Sequence, residues 1–136
     1  MPKNALGLGV NHHQLAHNAA GGETKAVEKL GTYDKFQGEL LGRFLKRLSD
    51  TPEGDGTMLD HTLVFYGCSN SATHINKNYP LLLAGGRKLG IKQGLFHDFE
   101  NAKKPLSNLY LTLLRQLDVT VDTFSDSSGL MKDLIA

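Results

Sequence analysis

Two short apolar runs, Thr62 to Tyr66 and Leu81 to Ala84, constrain this 136-residue chain more than any other feature. Each is continuous rather than alternating and is bounded by Gly or Pro. That pattern belongs to strands covered on both faces, as in parallel sheets. Between the runs lies a polar segment that starts at Gly67-Cys68-Ser69-Asn70-Ser71, carries His74 and ends at Pro80. Ligands of open α/β sheets gather beyond the carboxyl ends of strands, so chemistry is expected where the chain leaves the first run.

The cover for such strands comes from helices. From Glu23 to Leu48, Val27, Leu30, Tyr33, Phe36, Leu40, Leu41, Phe44, Leu45 and Leu48 recur at steps of three and four, so one face of a long helix is apolar. Gly31, Gly38 and Gly42 each weaken that helix by about 1 kcal/mol relative to alanine, which allows a break near Gly31. Pro105 opens a second helix with its stripe on Leu106, Leu109, Tyr110, Leu113, Leu114 and Leu117. Thr51 to Gly56 reads as a connection, and Gly85-Gly86-Arg87 as a tight turn, because no phosphate-cradling glycine pattern follows it. Short extended pieces are expected near Ile91, from Leu95 to Phe99 and from Val119 to Phe124. Ser125 to Gly129 is a turn or cap, and Leu130 to Ile135 a final helical turn. The expected fold is α/β, a small mostly parallel sheet flanked by helices, in a single domain over residues 1–136.

Fifteen Lys and Arg balance fourteen Asp and Glu, and no basic cluster stands out, which argues against nucleic acid as a partner. No apolar run approaches the roughly 18 residues of a membrane span, and the first residues lack the pattern of an export signal. One cysteine, Cys68, excludes an internal disulfide framework.

Three of the six histidines fall within six residues: His12, His13 and His17. A helix places His13 and His17, four apart, on one face, the spacing of helical His-x-x-x-His metal sites. A metalloprotease helix requires glutamate after the first histidine, and Gln14 stands there. On spacing alone, a metal pair and a pair of solvent-facing or packing histidines both remain open.

A longer resemblance links these pieces. Gly54-Asp55-Gly56-Thr57-Met58-Leu59-Asp60, His74, Pro80-Leu81-Leu82-Leu83-Ala84-Gly85-Gly86, Gly94, Pro105-Leu106-Ser107-Asn108-Leu109-Tyr110 and Phe124-Ser125-Asp126-Ser127-Ser128-Gly129 resemble, in that order, a bacterial family of unknown function. That family is named for a His-x-x-Ser-His-His motif, which lines up on His13 to Asn18, with Ala16 in place of the serine and Asn18 in place of the last histidine. The resemblance covers nearly the whole chain and implies the C-terminal portion of a longer, exported protein. The family is distantly similar to the alkaline phosphatase and sulfatase superfamily, whose members hydrolyse phosphate or sulfate esters at two metal ions. It implies that His13, His17 and His74 hold one metal, with zinc suited to three neutral imidazoles and an open position.

The departures limit what the resemblance implies. The superfamily's second metal needs an acidic ligand just after the first strand, where this chain has Cys68-Ser69-Asn70-Ser71. Its nucleophile comes from an N-terminal half that this chain does not contain. The expectation is therefore a metallohydrolase-like domain with one metal site and no catalysis of its own. Two alternatives stand beside it: a non-catalytic surface or interaction module, and an acyl-transfer hydrolase using Cys68 or Ser69 with His74 or His97 as base. The last lacks the closing glycine of the nucleophile elbow. Loss of a covering N-terminal half would leave apolar strands exposed, so self-association into a homo-oligomer is expected.

Overall fold

The computed structural model describes residues 6–70, 74–78, 80–99 and 103–136. The chain divides into two compact units, one of residues 1–46 with 68–79 and one of residues 47–67 with 80–136. Ser71, and residues 100–102 of the segment read as irregular, lie outside the described residues.

In the first unit, Asn11 caps helix α1 (His12–Ala20) by accepting the Gln14 amide at 2.8 Å. Gly21 and Gly22, the latter at φ 84°, then turn the chain into helix α2 (Thr24–Asp50), whose last residues count with the second unit. No break occurs at Gly31: α2 runs continuously through all three glycines, because Leu, Lys, Glu and Arg around them are good helix formers. Leu8, Leu15 and Ala26 form the buried cluster, with Leu30 and Tyr33 of α2 packed against it. Lys29 Nζ reaches back to the Leu8 carbonyl at 3.0 Å. Further along α2 the apolar face opens to solvent, and Phe44 is 49% exposed.

The second unit begins with a two-residue ribbon, β1 (Pro52–Glu53) against β2 (Gly56–Thr57), where the sequence reads only as a connection. The two apolar runs do become strands, β3 (Leu63–Gly67) and β4 (Leu81–Gly85). They are antiparallel, not parallel: Leu63 faces Gly85 and Gly67 faces Leu81. A parallel pair needs a crossover that returns the chain to the starting end of the first strand. Here residues 68–80 leave β3 and re-enter at the adjacent end of β4, with no helix among the described residues between them. The mixed helix-and-strand class holds, while the mostly parallel sheet is replaced, among the described residues, by two antiparallel pairs. Burial on both faces is not met either. Val64 is buried, yet Tyr66 and Leu82 near the connection are each 42% exposed.

The core of this unit is Ile91, Leu109, Leu113, Met131 and Leu134, ringed by Leu63, Phe65, Leu83, Phe99 and Leu106. Burying each large aliphatic side chain contributes about 1.5–3 kcal/mol. Helix α3 (Leu106–Gln116) follows Pro105 as expected, with Leu109 and Leu113 inward. Ile91 makes a single bridge to Ile135, and a 3₁₀ turn spans Lys132–Leu134. Leu95 to Phe99 and Val119 to Phe124 form no strand, because among the described residues neither has a partner strand to satisfy it.

Gly85 and Gly86, at φ 79° and 72°, leave β4 for a 3₁₀ turn at Arg87–Leu89. A Cβ at Gly85 would run into the Thr62 and Leu59 carbonyls, so this turn excludes any side chain. It bears out the reading of Gly85-Gly86-Arg87 as a tight turn.

Candidate metal centre

Leu15, 1% exposed, pins α1 into the cluster with Leu8 and Ala26. The helical repeat then turns His13 and His17 outward on one side of α1, as their spacing requires. Their ring centroids lie 4.6 Å apart at 67°. His74, in the segment between β3 and β4, joins them: its centroid is 5.3 Å from that of His17 and 6.5 Å from that of His13. Its backbone is left-handed at φ 56°. All three side chains are exposed, and none of the hydrogen bonds or ion pairs among the described residues uses their nitrogens. The three residues named from the sequence are thus brought together. His12 points elsewhere, with its ring 4.4 Å from that of Tyr33.

Two imidazoles on one zinc ion, at Zn–N of about 2.0–2.1 Å and a tetrahedral angle, have centroids about 5 Å apart. The His13–His17 and His17–His74 pairs match that spacing. The His13–His74 pair, at 6.5 Å, is wider by about an ångström than a shared ion allows. Consistently, among the described residues no three His, Cys, Asp or Glu side chains form a group that could hold a metal ion as placed. Two of the three separations fit a shared ion, and the third does not.

The alternative nucleophiles have less around them. Cys68 is exposed, and its Sγ donates to the Asn70 carbonyl at 3.1 Å rather than to an imidazole. Ser69 sits in a bend after β3, not in the strand-turn-helix of a nucleophile elbow. His97 belongs to the second unit, where its ring stacks on Phe99 at 5.5 Å.

Two polar clusters in the second unit were not foreseen. In one, Asp60 accepts the Thr57 amide and hydroxyl, each at 2.9 Å, and pairs with Arg87 Nε at 3.0 Å. The Arg87 hydrogen bond, followed by the two from Thr57, lowers the Asp60 carboxyl to about 2. Lys88 bonds Asp55 and lowers its carboxyl as well, while His61 Nε2 stands 3.8 Å from Asp55, too far for a hydrogen bond. In the other, Ser107 donates to Asp126 at 2.6 Å, and Asn108 exchanges hydrogen bonds with Ser128 at 2.7 and 3.2 Å. Thr112 donates to the Asn108 carbonyl at 2.7 Å and accepts the Met131 amide at 2.8 Å. These join the strings Pro105 to Tyr110 and Phe124 to Gly129, which the sequence marks without showing that they meet. The Ser107, Asn108 and Thr112 cluster is internally paired, whereas in the Asp60 and Asp55 cluster His61 Nε2 is buried without a hydrogen-bond partner among the described residues.

No family model, curated protein or solved structure matches this chain. No helix among the described residues is long and apolar enough to cross a membrane.

Proposed function

We propose that this chain is a metallohydrolase-like domain that binds one metal ion, zinc by its ligand chemistry, through His13, His17 and His74, and that it is not catalytic alone. The observation that carries the reading is the convergence of three exposed imidazoles from two distant segments, at centroid separations of 4.6, 5.3 and 6.5 Å. Neutral imidazole is a good ligand for zinc, and three such ligands leave a fourth position open to water. A bound ion would there act as a Lewis acid. The residues supply binding and orientation only: among Cys68, Ser69 and Asn70 no carboxylate is available for the second ion of a two-metal esterase. The resemblance to the His-x-x-Ser-His-His family, and through it to an alkaline phosphatase-like fold, supports the same reading.

The test is cobalt(II) titration of the chelator-stripped chain. One equivalent is expected to bind with the visible absorption of a low-coordinate nitrogen site, and His17→Ala, which removes the central imidazole, is expected to weaken binding at least about tenfold. Phosphate and sulfate ester substrates are expected to turn over no faster than with free metal. Binding left unchanged by His17→Ala would end the proposal.

A further inference from the structure

We propose that His61 is a proton-operated brace: once charged, its Nε2 pairs with the Asp55 carboxylate and stabilises the turn that joins β1 to β2. The site lies wholly in the second unit and involves none of the histidines of the first. The ring rests against that turn, since a Cβ placed on Gly54 would stand 4.0 Å from His61 Nε2, and Asp55 Oδ1 stands 3.8 Å from it. This nitrogen is buried and has no hydrogen-bond partner among the described residues, although the side chain as a whole is 32% exposed. A buried polar atom left unmatched is costly, and folded proteins hold few of them.

Neutral imidazole does not remove that cost here. With its proton on Nδ1, Nε2 is an acceptor and faces a carboxylate, which only accepts. With its proton on Nε2, the N–H stands beyond hydrogen-bond distance of Oδ1. A protonated ring carries a full charge, and at 3.8 Å its attraction to the carboxylate needs no hydrogen bond. The surrounding charges leave room for it. Lys88, on the 3₁₀ turn Arg87–Leu89, holds the other oxygen of Asp55, Oδ2, and leaves Oδ1 to His61. Asp60, next to His61 in the chain, is taken up by Thr57 and Arg87. Lys88 opposes a second cation on one carboxylate, and Asp55 is 74% exposed, so the stabilisation is modest. Asp55 stays ionised in mild acid because the Lys88 hydrogen bond lowers its carboxyl. The brace is therefore present below the ordinary imidazole range, near about 6.5, and is lost as pH rises through it.

NMR of the full chain between about pH 7.5 and about pH 5 tests this through Asp55, whose lowered carboxyl does not itself titrate there. In the unsubstituted chain the Asp55 carboxyl carbon resonance is expected to shift in step with protonation of the His61 ring, and in His61→Gln to stay still. Urea unfolding gives a second readout. The unfolding equilibrium constant of His61→Gln, relative to the unsubstituted chain, is expected to rise about two- to fivefold from pH 7.5 to pH 5. In an Asp55→Asn background the same substitution is expected to show no such change with pH. A His61 ring that protonates without moving the Asp55 resonance, or that stays neutral down to about pH 5, overturns the proposal, and that measurement needs no variant to fold. An effect of His61→Gln that is equal at the two pH values overturns it as well.

Discussion

Around the start of α3, Ser107, Asn108 and Thr112 are buried, and each has its hydroxyl or amide matched by a partner on the Asp126 to Met131 segment. Around α1, His13 and His17 are exposed and touch other imidazoles instead of hydrogen-bond partners. The contrast separates polar groups that serve the fold from polar groups that face solvent. A buried donor or acceptor without a partner costs about 1–3 kcal/mol, so the first cluster has to be internally complete. Exposed imidazoles carry no such penalty, and water satisfies them until something binds more tightly.

The largest effect that would break this comparison is expected at Thr112. Its side chain is fully buried and serves as both donor and acceptor, so Thr112→Val leaves the Met131 amide unpaired. A loss of about 1–3 kcal/mol in urea unfolding is expected; an unchanged midpoint would show that the cluster contributes nothing to stability. A smaller effect of opposite sign is expected on α2. Gly38 lies within the helix, and a Cβ there meets nothing within 4 Å, so Gly38→Ala is expected to stabilise by about 0.5–1 kcal/mol. Destabilisation there would mean that this helix face is covered in solution.

The smallest effect concerns acid. Asp60 has its carboxyl lowered to about 2 by Arg87 and Thr57, below the unfolded value of about 3.9. The stability it contributes is therefore fully present above the unfolded value and lost as pH falls through about 2. Between pH 5 and 2 the unfolding midpoint should fall more steeply in the unsubstituted chain than in Asp60→Asn. Parallel curves would show that the Arg87 pairing seen here adds nothing.

Much of the first unit was legible beforehand. The three-and-four spacing of α2 and the four-residue spacing of His13 and His17 are consequences of the helical repeat, which local sequence displays directly. The glycines of α2 do not break it, because a cost of about 1 kcal/mol per residue is small beside the propensity of a 27-residue helix. Strand direction was not legible. A continuous apolar run says that side chains avoid water, and it carries no information about which end of the next run lies beside it. The pairing of Asp60 with Arg87 and of Ser107 with Asp126 was hidden for a related reason, since neither partner's neighbours announce a contact 27 or 19 residues away.

The sequence by itself determined helices α2 and α3, the positions of β3 and β4, the glycine turn at Gly85-Gly86, and that a helix would put His13 and His17 on one face. Each follows from backbone sterics or a periodic pattern acting over a few residues. Tertiary structure alone decided that the strands pair antiparallel, that two motif strings close into one part-buried hydrogen-bonded cluster, and that the ring centroid of His74 lies 5.3 Å from that of His17. Those outcomes depend on which distant segments meet, and that is set by the burial of whole faces rather than by any residue's neighbours.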